Sequence, residues 1–131
     1  MKRIRILGVG NPLMGDDGVG IAVVEALRRE ALPEGVEVMD AGTGGLDLVH
    51  LLSEVEAAVV VDAVEMGEEP GVLRWLTPEE VKGGEKPFHF SLHETRLGVV
   101  LQWLRWLGQP PPTLCLLGIQ PAQVVEGMGL T

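Results

Sequence analysis

Five side chains in this sequence could hold a metal or move a proton from comparable places along the chain: Asp16, Asp17, Asp40, Asp62 and His93. Asp16 and Asp17 lie beyond a first short apolar run, Asp40 follows a second, and Asp62 ends a third. If those runs are parallel neighbouring strands, their ends share one sheet edge, where open α/β folds bind ligands. Carboxylates crowded in one crevice repel one another, so some must be protonated or share a cation, and a divalent metal is the simpler solution. His93 is the natural third ligand, because neutral imidazole with two carboxylates suits a borderline divalent ion with open positions. Its expected place in a first helical turn disfavours the imidazolium form. Taken singly, each residue has an ordinary reading: a strand-end aspartate usually caps a helix or closes a turn, and a lone histidine is usually a surface residue. Convergence distinguishes the four carboxylates, and His93 stands at a loop-to-helix junction just after the expected edge strand, a setting that neither His50 nor His89 shares.

The elements that must position them can be read from hydrophobic spacing. Ile4 to Gly8 is short, apolar and closed by glycine, and Gly10-Asn11-Pro12 breaks the chain before Val19, Ile21, Val24 and Leu27 recur at helical spacing. Val36 to Met39 reads as a second strand, after which Thr43 can cap a helix carrying Leu46, Val49, His50 and Leu52. Ala57 to Val61 is an uninterrupted apolar run, the pattern of a central strand buried on both faces. The span from Asp62 to Gly71 is too short and acidic for a crossover helix, so Val72 to Leu76 should return antiparallel at an edge. Thr77-Pro78-Glu79-Glu80 starts a brief helix, and Ser91-Leu92-His93-Glu94 opens a longer one with a stripe of Leu97, Val100, Leu101, Leu104 and Leu107. Leu114 to Ile119 is the last strand. The pattern predicts a three-layer α/β fold, a mixed, mostly parallel five-stranded sheet flanked by helices on both faces, as a single domain over 1–131.

Composition excludes several classes. A net charge of −9 disfavours nucleic acid, whose phosphates would be repelled. Mean hydropathy is high at +0.24, yet no apolar run approaches the roughly 20 residues that span a bilayer, so no membrane insertion is expected. A single cysteine rules out an internal disulfide and a Cys-rich metal site, and with no signal peptide read at the start, the cytoplasm is the expected compartment. Cys115, between leucines in an expected buried strand, reads as a small hydrophobe rather than a nucleophile. Gly8-Val9-Gly10 imitates a dinucleotide loop, but Leu13 stands where the third glycine belongs; Gly10 to Gly15 has phosphate-loop spacing, but Asp16 and Asp17 replace its lysine and hydroxyl residue. No Gly-x-Ser-x-Gly elbow is present. Trp103 and Trp106 flank the helical stripe as packing residues, and Glu65, Glu68 and Glu69 read as a solvated turn.

The ordered set Leu7 to Gly20, Asp40-Ala41-Gly42-Thr43-Gly44-Gly45, Val60-Val61-Asp62-Ala63 and Ser91-Leu92-His93 resembles the maturation endopeptidases of nickel-iron hydrogenases over essentially the whole chain. The resemblance implies an endopeptidase, aspartic-type or metal-dependent, that recognises nickel in the immature hydrogenase large subunit and removes its C-terminal extension. It implies that Asp17, Asp62 and His93 contact the metal, which is held mainly by the substrate subunit and for which another divalent ion could substitute in isolation. It also links Asp40 to cleavage. The attacking water could be activated by Asp16 or Asp40 as base, or by the metal polarising water or carbonyl, and the sequence leaves these open. Members of the family usually continue past Gly129-Leu130-Thr131 into a final helix, so a sheet face here is expected to lack that cover and to be buried by self-association or by a partner. Two other functions are carried: a non-catalytic module sensing the nickel-loaded precursor, and an unrelated metal-dependent hydrolase of small molecules.

Overall fold

The computed structural model describes residues 3–42, 47–53, 55–77, 113–124, 127 and 129–131. The Thr43 cap, the short helix expected after Thr77, the helix expected from Ser91, and with them His89, His93, Trp103 and Trp106, lie outside those residues.

Five strands form one sheet: β1 (Ile4–Gly8), β2 (Val36–Asp40), β3 (Ala57–Ala63), β4 (Leu73–Leu76) and β5 (Thr113–Ile119). Their order is β2-β1-β3-β5-β4, with every pair parallel except β4 against β5. The sheet is therefore mixed and mostly parallel, with the expected central strand and antiparallel edge. β3 extends two residues further than its apolar run, so Asp62 lies within the ladder opposite Gly118.

Helix α1 (Val19–Leu27) connects β1 to β2, and α2 (Asp47–Ser53) lies between β2 and β3. Right-handed crossovers that run in opposite directions across the sheet, from β1 to β2 and then from β2 to β3, must put their helices on opposite faces. The alternation along β1 shows this. Leu7, fully buried, joins Leu52 of α2, Val60 and Leu116 in the main core, whereas Gly8 faces the other way, against Gly20 and Val24 of α1. Register places Leu7, Val60, Leu116 and Leu76 in one row across the sheet, all buried.

Arg5 is also buried on the α2 face, at 7% exposure. Its Nε donates to Glu37 across the β1–β2 pair at 2.6 Å, and Nη1 donates to the Leu51 carbonyl near the end of α2 at 2.9 Å. A cation at a helix C-terminus meets carbonyls without intrahelical partners. The hydrogen bond from Arg5, the attraction of its charge and a weaker contact from Arg3 together hold the Glu37 carboxyl below the usual range, against the opposing effect of burial.

Among the described residues the α1 face is less covered. Cys115 is exposed, and on the same face of the neighbouring edge strand Trp75 and Leu73 are 63% and 59% exposed. The sequence expectation of a buried thiol thus fails. Cys115 alternates with Leu114 and Leu116, and only the leucines face the core. Among the described residues no helix is long and apolar enough to cross a membrane.

Candidate active site at the carboxyl edge of the sheet

β2, β1 and β3 are parallel neighbours, and Asp40 and Asp62 stand at the same edge on the two strands that flank β1. With strands about 4.8 Å apart, their backbones are separated by roughly 10 Å. Asp40 ends β2 opposite Gly8, and its Oδ1 accepts the Gly42 N–H at 2.7 Å, closing a turn in which Gly42 takes a φ of +59°. Ala41 N–H donates to the Gly8 carbonyl and Gly10 N–H to the Gly42 carbonyl, so the loops after β2 and β1 stay paired past the strands. The Asp40 side chain is exposed.

Asp62 is 2% exposed, and its Oδ1 accepts the Ala63 N–H at 2.8 Å. The β1–α1 loop comes down beside it. Asn11 shapes that loop: its Oδ1 accepts the Leu13 N–H and its carbonyl accepts the Met14 N–H. A single 3-10 turn, Gly15–Gly18, then carries Asp16 and Asp17 into α1 and contacts β3. Asp17 Oδ2 accepts the Asn11 N–H at 3.0 Å, and the residue is buried at 7% exposure.

Two glycines permit this approach. A Cβ at Gly10, whose φ is +152°, would collide with the Asp17 carbonyl oxygen. A Cβ at Gly20 would collide with the carbonyl oxygens of Val61 and Val9, the residues that precede Asp62 and Gly10. The first turn of α1 therefore rests on the end of β3 with no side chain between, and Asp17 is delivered to the edge that holds Asp62.

Asp16 faces elsewhere. Its Oδ2 accepts from Ala122 N–H at 2.8 Å, Gln123 N–H at 3.0 Å and the Thr131 hydroxyl at 2.6 Å, and its Oδ1 accepts the Thr131 N–H at 2.7 Å. The Thr131 contacts most of all, with Gln123 and Ala122 adding to them against the opposing effect of burial, hold its carboxyl far below the usual range. Hydrogen bonds to the charged form stabilise that form. A cleft of about 210 Å³ opens beside Asp16, between Pro70 and Gly71 on one side and Thr131 on the other; Asp17, Asp40 and Asp62 do not line it.

Gln120, a polar residue that hydrophobic spacing does not mark, is buried at 4% and braces the loop after Asp62. Its Oε1 accepts the Met66 N–H at 2.7 Å and the Glu68 N–H at 3.2 Å, while Nε2 donates to Glu65 at 2.9 Å. Of the acidic turn, Glu65 is thus a partner of Gln120, and Glu68 pairs with Arg74 at 2.6 Å. His50 is exposed.

The described residues bring the turn that carries Asp17 against β3, the strand that carries Asp62, and place Asp40 two strands from Asp62 and Asp16 in a separate network. No group of three or more histidine, cysteine, aspartate or glutamate side chains able to hold a metal forms among the described residues, which do not include His93. In an open sheet of this topology the crevice between β1 and β3 is where the chain direction reverses, the position that binds ligands.

The molecule is thus an α/β protein with Asp40 and Asp62 on the two strands that flank β1, at the carboxyl edge of its sheet. The model of the hydrogenase maturation protease family matches residues 21–131. The hydrogenase 2 maturation protease of Escherichia coli K12 is 38% identical, with 98% of this chain and 79% of that protein covered. The hydrogenase expression/formation protein HupD of Bradyrhizobium diazoefficiens is 39% identical, over 98% of this chain and 67% of its own length, and HupM of Azotobacter chroococcum is covered over 59% of its length. The solved structure of the hydrogenase maturating endopeptidase HybD from E. coli superposes with a TM-score of 0.83 at 33% identity, covering 98% of this chain and 80% of that one. The chain belongs to the hydrogenase maturation protease family.

Proposed function

We propose that this protein is an endopeptidase that recognises nickel in the immature large subunit of a nickel-iron hydrogenase and cleaves off the subunit's C-terminal extension. What supports the reading is the packing of the 3-10 turn that bears Asp17 against the strand that bears Asp62, in a chain that belongs to this family. Asp17, Asp62 and His93 dock onto nickel carried by the substrate, so the metal is part of what is recognised and sets the scissile bond in place. Another divalent ion could occupy these residues in the isolated protein. The single cysteine fits a reducing compartment, the cytoplasm.

Hydrolysis then needs a base. Asp16 is poorly suited, because its carboxylate already accepts four hydrogen bonds and is held in its charged form. Asp40 is exposed at the same edge, and among the described residues its Oδ2 accepts no hydrogen bond. In this reading Asp40 takes a proton from water, the resulting hydroxide attacks the scissile carbonyl carbon, and the tetrahedral intermediate collapses as Asp40 returns the proton to the departing amine.

Two variants separate the roles. Asp17→Asn should weaken capture of the nickel-loaded precursor and abolish processing, whereas Asp40→Asn should retain capture and lower the cleavage rate by roughly 100-fold or more, the usual range for loss of a general base. Pull-down of the precursor alongside its mass reads both. Full processing by Asp17→Asn would overturn the site, and full processing by Asp40→Asn would return the base to the water- or carbonyl-polarising route.

A further inference from the structure

After β5 the chain returns beneath the loop that carries Asp17. Gly15 N–H donates to the Gly127 carbonyl, Gly127 N–H to the Leu13 carbonyl, and Asp16 N–H to the Gln123 carbonyl, each at 2.8 Å. Asp16 then closes the set with its side chain, which gathers three backbone N–H groups and one hydroxyl from Ala122, Gln123 and Thr131. Every one of those groups is a donor. Aspartate can satisfy all four, whereas asparagine would turn an NH₂ toward another donor.

Asp17 is the next residue of the same turn. Successive residues of a 3-10 turn point about 120° apart, so one acid can face this strap while the other faces the sheet edge. The turn is held from both sides, by the strap through Asp16 and by Asn11 N–H through Asp17 Oδ2. A rotation that released the first carboxylate would swing the second.

We propose that Asp16 is a positioning residue: by clamping Ala122, Gln123 and Thr131 against the 15–18 turn, it fixes the orientation in which Asp17 is presented to the metal of the substrate. The role assigned to Asp17 rests on the function proposed above, whereas the mechanical coupling between the two acids does not.

The test uses Asp16→Asn, with Thr131→Val as a milder variant and Thr131→Ser as the conservative one that keeps the hydroxyl. Hydrogen exchange of the Asn11 amide, without substrate, reads the seat of Asp17. KM and kcat for the nickel-loaded precursor read the consequence. Turning an amide NH₂ toward these part-buried donors loses a charged acceptor, so Asp16→Asn should speed Asn11 exchange roughly tenfold, with a smaller rise for Thr131→Val and none for Thr131→Ser. KM should rise roughly tenfold with kcat nearly unchanged, since loss of binding alone moves KM. Unchanged Asn11 exchange, while Ala122 and Gln123 lose protection, would overturn the coupling; a fall in kcat at constant KM would make Asp16 a participant in the chemistry instead. If Asp16→Asn does not fold, the two Thr131 variants carry the same comparison. Failure of the wild-type protein to process the precursor would remove the proposed function, and Asn11 exchange would still decide the positioning role.

Discussion

Asp17 Oδ2 accepts the Asn11 N–H, while the carboxylate of the residue before it is spent on Ala122, Gln123 and Thr131. Both acids are legible in the sequence as acids beyond a strand, but their division of labour is not. The partners of Asp16 lie 106 to 115 residues further along the chain, beyond any local spacing rule. Asp40 is easier to read, because the apolar run that stops at it marks the end of β2 directly, whereas β3 runs one residue past Asp62. At this same scale Arg5 and Glu37 give a prediction. The folded carboxyl of Glu37 titrates below its ordinary value of 4.5, so its contribution to stability is fully present above that value and is lost as pH falls below it. Glu37→Gln should therefore lower the urea midpoint at pH 7, with the gap to wild type closing as pH is lowered through the carboxylate range. A gap that persists unchanged in acid would contradict the assignment.

At the scale of elements, the five strands and both described helices follow from apolar runs bounded by glycine, proline and acids. Closeness of approach did not follow from those patterns. Gly20 looks like one small residue in a helical segment, yet it is where α1 meets the backbone of Val61 and Val9. Gly20→Ala should destabilise the protein by roughly 1–3 kcal/mol, the cost of overpacking against backbone that cannot yield. It should also lower processing, because the helix must lift the Asp17 turn away from Asp62. Chemical denaturation and a processing assay check the two effects. The other element that local pattern misjudged is β5, whose leucine-flanked cysteine looks buried from its neighbours. Which face of a strand is covered depends on elements distant in sequence, and on the face of Cys115 the neighbouring Trp75 and Leu73 are themselves exposed. Cys115, the single cysteine, should react promptly with a thiol reagent in the native protein; a thiol that reacts only after unfolding would refute its exposure.

For the whole molecule, that face bears on assembly. The chain spans 59% to 67% of the length of HupM from A. chroococcum and HupD from B. diazoefficiens. Self-association through the Trp75 and Cys115 face would make the sedimentation coefficient rise with concentration and shield the thiol in step; a constant monomer with a reactive thiol would exclude a second copy as its cover. The packing of the Asp17 turn against the strand that bears Asp62 underlies the proposal that this protein recognises a metal carried by another protein. The most direct test of that claim is the mass of an unprocessed hydrogenase large subunit after incubation with this protein, once with nickel loaded and once without. Loss of a discrete C-terminal peptide only from the nickel-loaded subunit is the predicted result, and an unchanged mass in both, or equal cleavage in both, would contradict it.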